Sequence, residues 1–440
     1  MKNTTKFISS KIKHIKHSFT GGNITMYSGI NVVARFLKRD KTIKTISKLF
    51  PTKKENATKF TKFQVIMAIT FASMSGINRI KKIANFTQDP LIQANLGLQK
   101  ALNENVISGT LKKTGQKGAR GLEEALLRKN AMFIKNSGMT HITFDGDSTV
   151  SMTCGNQEGT KKGFNSQKKG AKSYHPQLLF ESNTKVLYNT WFRSGDAYTS
   201  NGMPEFLKET QASLPKTIEN VFFRADSGYF GGALLETLEG FGWDYLIKVK
   251  LKNLVNLLEK QTWTIVSGKR NTAICEFDYT TKSWNGKHRK LKAIRTVKEY
   301  VQRDFMGEKQ IIPVYQYACY VSSYARKDAV ELHDLYKERS TSETWIEQVK
   351  GQLLAGKTLT DDFWANDILW QLNCLAYNVS VIMRYKHKKI KRQEHRTFMD
   401  WFIVVPGKLV SSGRSKEIKI YENYYCKSNW LEFDEFLNTA

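Results

Sequence analysis

Between His141 and Lys250 the apolar residues change period repeatedly, from two to 3.6 and back, and that alternation restricts the fold more than any single motif does. "HITFDGDSTVSM" reads as a strand, and "YHPQLLFES" with "KVLYNTWFRSG" reads as a hairpin after it. "GMPEFLKETQASL" reads as a helix opened by its proline, "NVFFRADSGYF" as a strand, "GGALLETLEGFG" as a helix closed by glycine, and "WDYLIKVK" as a fifth strand. The order is three strands, helix, strand, helix, strand, which demands an α/β fold with a mixed sheet.

That order is the opening of a ribonuclease-H-like sheet, so residues 136–250 are expected to form the first part of a catalytic core. Short strand-like runs such as "WTIVSG", "TAICEFDYTT" and "KLKAIRTV" make residues 251–323 a β-rich insertion. Residues 324–390 return to helical spacing and should complete the core, leaving 391–440 as a C-terminal region. Ahead of the core, residues 63–135 read as a helical DNA-binding region with a glycine-containing break near "TGQKGARG", and "VIMAITFASMSG" reads as a buried helix. "INVVARFLKRDKTIKTISKLF" also carries apolar residues at helical spacing, so part of the first 62 residues should fold.

The charge is lopsided. The chain has 69 Lys and Arg against 40 Asp and Glu, a net charge of +29. Residues 1–62 hold 15 of the basic residues and 2 of the acidic ones, so they carry +13 of the total. Such an excess favours a polyanionic partner through counterion release and long-range steering, and marks residues 1–62 as a basic DNA-binding arm. No apolar run reaches the ~20 residues of a membrane span, and the start lacks the apolar core of a secretion signal. The five cysteines form no CxxC pair, which argues against zinc fingers and a disulfide framework and suits a reducing cytoplasm.

Carboxylates stand at the ends of the expected strands. Asp145 and Asp147 are two apart and share a face, and Asp226 follows the strand "VFF", at the carboxyl end where open α/β sheets place ligands. In "YKERSTSETWIEQVK", Tyr336, Arg339, Glu343 and Lys350 fall within about a 60° arc of one helix at 100° per residue. Leu335, Ile346, Val349 and Leu353 form an apolar stripe beside them. Three acids around one point repel each other, a cost accepted in order to bind hard divalent cations. With phosphate as ligand the matching chemistry is two-metal catalysis, Arg339 and Lys350 serving as phosphate ligands on an exposed face and Tyr336 hydrogen-bonding a phosphate oxygen. Each element also has a plainer reading: Arg339 and Glu343 as a surface i,i+4 pair, Asp147 and Asp226 as turn residues, His141 and His175 as packing residues. Trp345 points away from the charged stripe, for packing or for stacking on DNA.

The spacing Y-x2-R-x3-E-x6-K resembles the signature of DDE-type, cut-and-paste insertion-sequence transposases. "FDGDSTV", "CGNQEGTKKGFNSQKKGAKSYHPQL", "RSGDAYTSNGMPEFL" and "RADSGYF" are similar to stretches of the same group. The resemblance implies a catalytic and metal-binding triad of Asp147, Asp226 and Glu343, with Asp147 preferred to Asp145 because it directly precedes the Ser-Thr of the motif. It also implies two Mg2+ ions, replaceable by Mn2+, and cleavage at the element's ends with joining of the 3′ ends to target DNA. Terminal inverted repeats, double-stranded target DNA and a synaptic homo-oligomer are the implied partners, and a bacterial, nucleoid-associated cytoplasmic location the implied setting. The rival expectations are a ribonuclease-H-like nuclease without strand transfer and a transposase-derived protein that only binds DNA.

Overall fold

The computed structural model describes residues 17–53, 59–153, 155–163, 165, 168–305, 308–387, 390–413 and 415–439. The first 16 residues of the expected basic arm, and residues 54–58 within it, lie outside this set. Ile30–Arg39 and Thr42–Leu49 fold as helices, as their apolar spacing requires. Helix α1 (Lys62–Met74) follows a capping box at Thr61, and all ten residues from Val65 to Met74 are buried. Helix α2 (Glu104–Asn136) starts where the Asn103 side chain accepts from the Val106 amide at 2.8 Å. Gly115 interrupts it at φ 54, ψ −162, inside the stretch whose glycines signal a break.

The sheet begins with β1 (His141–Ser148), continues with β2 (Gln177–Glu181) and β3 (Leu187–Trp191), and adds β4 (Asn220–Ala225) and β5 (Asp244–Lys248). β2 runs antiparallel to β1 and to β3, whereas β4 pairs parallel with β1 and β5 parallel with β4. Ile142 lies opposite Val221 and Phe144 opposite Phe223. This sets the apolar face against α3 (Met203–Ser213) and α4 (Gly232–Phe241), where Phe206, Leu207, Leu235 and Leu238 fill the core with Phe144, Leu179 and Phe223. Gly146, also on this face, has no room for a side chain, because a Cβ there would lie 2.8 Å from the Phe223 ring. Thr143, Asp145 and Asp147 alternate onto the other face.

Residues 251–323 form the insertion, and most of it is strand. It contains β6 (Thr264–Val266), β7 (Lys269–Tyr279), and the long pair β8 (Arg289–Phe305) and β9 (Glu308–Ser322), with a short helix at Leu254–Glu259 before them. β9 pairs antiparallel with β5, so the insertion continues the core sheet. The order across the nine strands is β6-β7-β8-β9-β5-β4-β1-β2-β3 among the described residues. Sequence gives strand existence, but the partner of an edge strand is decided by tertiary packing.

After β9 the chain crosses the second face of the sheet. Helix α5 (Ala329–Lys337), capped by Asp328, packs Ala329 and Leu332 on Leu246 and Tyr320. A 3₁₀ turn (Glu338–Thr341), helix α6 (Ser342–Glu347) and a π-helical turn (Gln348–Gln352) follow. Trp345, Val349 and Leu353 join Leu178 and Phe180 in the largest core, and Trp345 packs 5.6 Å from the Phe180 ring, which settles Trp345 as a packing residue. Helix α7 (Phe363–Lys386) runs through the same core against α1 and α2. Near the C terminus Gly407–Ser412 and Ser415–Ile420 form a hairpin whose edge takes Ile24–Thr25. Among the described residues no helix is long and apolar enough to cross a membrane, and Cys275, Cys319, Cys374 and Cys426 are free and buried.

Candidate active site

β1 and β4 are adjacent and parallel, so their carboxyl ends lie side by side. β1 delivers Asp147 in its last turn of pleat, and β4 ends one residue before Asp226. Asp226 opens a 3₁₀ turn, its Oδ1 accepting from the Gly228 amide at 2.9 Å. Asp147 accepts from its neighbour's amide, Ser148 N to Oδ1, at 2.8 Å, while its Oδ2 takes the Arg339 Nη2 at 2.8 Å and the Ser342 hydroxyl at 3.4 Å. Burial pushes the Asp147 carboxyl up to about 6; Arg339 opposes this and the nearby charge of Asp226 reinforces it.

Asp145 is tied up elsewhere. Its two oxygens meet Arg224 Nε and Nη2 at 2.7 and 3.0 Å, and Arg224 also reaches Glu338, the Leu335 carbonyl and the Ser182 hydroxyl. With both side chains sealed from solvent, this pair braces β1 against β4 and α5. Asp147 is the less buried of the two acids, its side chain 15% exposed against 0% for Asp145.

The single helix expected from Tyr336 to Lys350 is instead a succession of α, 3₁₀, α and π windings, so a count at 100° per residue does not hold across it. Tyr336, Arg339 and Glu343 do share a wall, that of a cavity of about 400 Å³ also lined by Lys248, Tyr320 and His333. Lys350 is not on that wall; it is half-buried on the π-helical turn, where burial lowers the pKa of its ammonium and Glu347 partly restores it. Arg339 is not on an exposed face as expected. It is buried, its Nη2 also donates to the Gly146 carbonyl at 3.3 Å, and its guanidinium lies 6.0 Å from the Tyr336 ring.

Glu343 is exposed on α6, one residue from Ser342, which touches Asp147. Among the described residues no three carboxylate, histidine or cysteine side chains are gathered as a metal-binding set. The donor chemistry nonetheless fits a hard divalent cation at the aspartate pair, whose oxygens are the ligands such ions take, and Glu343 lines the same cavity as Arg339, the partner of Asp147.

Two further residues around the pair, Tyr229 and Arg193, carry no periodic signal and were not read from the sequence, whereas His175 and His141 were expected as packing residues. His175 donates from Nδ1 to the Ala197 carbonyl at 2.6 Å, its Nε2 lies 3.0 Å from the Ser148 hydroxyl, and burial lowers its pKa. His141, by contrast, lies at the far end of β1 beside Thr140 and Asn220. Tyr229, in "ADSGY", is fully buried with its hydroxyl near Ser148, and after burial itself the charges of Asp147 and then Asp226 raise its pKa. Buried Arg193 holds the loop beyond β3 through the His175, Tyr198 and Asn201 carbonyls.

Fold and site together define a mixed-sheet α/β protein with paired carboxylates at the ends of adjacent parallel strands. The chain belongs to the family described as transposase DDE domain group 1, whose model matches residues 7–438. No curated protein matches it. Among solved structures it is similar to a piggyBac transposase synaptic complex with hairpin DNA, with a TM-score of 0.46 and 14% identity over 85% of this chain and 79% of that one. It is also similar to a Mos1 transposase paired-end complex with left transposon end, with a TM-score of 0.18 and 11% identity over 55% of this chain and 71% of that one.

Proposed function

We propose that this chain is a DNA transposase that binds the terminal inverted repeats of an insertion sequence, cuts the DNA ends and joins the 3′ ends to target DNA as a synaptic homo-oligomer. The core is then ribonuclease-H-like, an assignment supported by the order β3-β2-β1-β4-β5 with β2 alone reversed. The observation that carries the reading is the placement of Asp147 and Asp226 on neighbouring parallel strand ends in a chain matched almost throughout by the family model.

In this reading Asp147 and Asp226 hold two divalent cations, Mg2+ or Mn2+, with Glu343 completing the set from the cavity wall. Those ions supply an activated water or 3′-hydroxyl and stabilise the leaving oxygen. In cutting, the water oxygen bonds to phosphorus as the P–O3′ bond breaks, and the 3′ oxygen leaves protonated. In joining, that 3′ oxygen bonds to a target phosphorus and the target's own 3′ oxygen leaves, so one phosphodiester replaces another. Arg339, paired with Asp147 in this structure, would be available to a phosphate of the substrate if a cation took its place on that carboxylate. Tyr336 and Lys350 are assigned to phosphate oxygens of the cut strand.

The test is cleavage of a terminal-repeat duplex by the Glu343→Gln protein beside Asp226→Asn. Both should bind DNA and neither should nick or join it, since an amide is a poor ligand for Mg2+. Near-normal cleavage by the glutamine protein ends the assignment of Glu343. A pre-cut end with a free 3′-hydroxyl, offered to the parent protein, separates a transposase from a nuclease, which yields no joined product.

A further inference from the structure

β8 and β9 run on past the sheet as a two-stranded arm. β7 accompanies β8 only from Arg289 to Thr296, and β5 accompanies β9 only from Tyr320 to Ser322. Beyond these limits β8 and β9 stay paired with each other alone, from Glu299 opposite Val314 to Phe305 opposite Glu308. A register shift between Val297 and Glu299 separates the arm from the sheet. Among the described residues, none from Val297 to Val314 belongs to any of the apolar cores. A two-stranded ribbon with nothing packed on it is only marginally stable in water, so an arm of this length needs a surface to lie against.

The side chains of the arm say what kind of surface. Cross-strand partners share a face, and Tyr300 pairs with Pro313 while Gln302 pairs with Ile311, so these four lie on one side of the ribbon. On that side Tyr300 is 60% exposed and Ile311 72% exposed. Residues 298–312 hold Lys298, Arg303 and Lys309 against Glu299, Asp304 and Glu308, so the arm is neutral in a chain of net charge +29. A neutral arm offers little to a polyanion, whose binding runs through counterion release and needs a basic excess. Two copies of so basic a chain repel each other over most of their surface, and a neutral segment with exposed apolar side chains is where they can meet.

We infer that this arm docks on a second copy of the chain, with Tyr300 and Ile311 as its apolar anchors and the second copy's arm returning the same contact across a two-fold axis. The arm supplies a surface for the homo-oligomer of the transposase reading, and its docking needs neither DNA nor cation. It is small beside a standard interface of about 1,600 Å², which puts the self-association in the weak, concentration-dependent class.

The experiment is sedimentation velocity of the full chain over a range of micromolar concentrations, without DNA or divalent cation, at low and high salt. The parent should dimerise, and more tightly at high salt, because salt screens the repulsion between two highly positive copies; DNA binding has the opposite dependence. The double variant Tyr300→Ser, Ile311→Ser should keep the parental melting temperature, since both side chains are exposed, and dimerise more weakly by about tenfold or more. Gln302→Lys, exposed on the same face, adds a charge without removing an apolar group and should weaken the dimer as well, which keeps the test open if the double variant misfolds. A parent that stays monomeric, or folded variants that dimerise as the parent does, overturns the inference. So does a folded double variant with weakened affinity for a fluorescent duplex of arbitrary sequence, which would lay the arm on DNA. Failure of the parent to cut terminal repeats would refute the transposase reading and leave the sedimentation results untouched, so the two can fail separately.

Discussion

Asp145 and Arg224 form a two-point ion pair at 2.7 and 3.0 Å with both side chains sealed from solvent, whereas Asp147, two residues along the same face, is held by a single Arg339 nitrogen at 2.8 Å. The two acids of "DGD" thus do different work. Removing one partner from a sealed pair strands the other charge, so Asp145→Asn should destabilise the protein by about 3–5 kcal/mol. Asp147→Asn should cost less, about 0.5–3 kcal/mol, because only one nitrogen of the buried Arg339 loses its charge partner. Urea midpoints of the two variants, measured together, check this; equal losses would mean that Asp147 is structural too.

Arg339 is expected to couple to Asp147 in stability, because its buried guanidinium has that carboxylate as its charge partner. Arg339→Ala should cost stability on its own, contrary to what an exposed phosphate ligand would do. A double-mutant cycle of Arg339→Ala with Asp147→Asn should give a coupling of about 0.5–3 kcal/mol, the range for residues in contact. Additive losses would show that the ion pair contributes nothing.

What the sequence reveals here follows physical range. The strands and helices from His141 to Lys248 are legible because the period of burial is local, and Asp226 is legible because strand ends are. The choice between Asp145 and Asp147 is not fixed by periodicity: the two share a face, and the arginine that claims Asp145 comes from β4, 79 residues away. Arg339 and Lys350 were misplaced for another reason. Angular counting assumes one pitch, and the chain changes pitch at Glu338 and again at Gln348. Tyr229 acts through neighbours that only the folded chain supplies.

Asp367 on α7 offers a test by pH. It is buried, its Oδ1 accepts from Gln371 Nε2 at 3.3 Å, and burial, then the charge of Glu123, pushes its carboxyl up to about 7 from an ordinary 3.8. The folded protein therefore holds this proton more tightly than the unfolded chain, and from about pH 4 to pH 7 this group makes stability fall as pH rises. Asp367→Asn removes that slope. It should be more stable than the parent at pH 8, with the gap closing toward pH 5. Stability curves that run parallel across this range would rule the shift out.

Tyr229 gives the sharpest separation of function from stability. Its ring belongs to the core under α3 and α4, while its buried hydroxyl is close to Ser148, the neighbour of Asp147, and close enough to Asp147 and Asp226 to feel both charges. Tyr229→Phe keeps the ring and should leave the melting temperature close to the parent's. If the hydroxyl orients the carboxylate pair, its loss should weaken divalent-cation binding about 10- to 100-fold, as for other groups that position metal ligands. Titration with Mn2+, followed by its electron paramagnetic resonance signal in the absence of DNA, reads this without any cleavage assay. An unchanged Mn2+ half-saturation in a well-folded Tyr229→Phe protein would assign the tyrosine to packing alone, since the core keeps the same ring in either case.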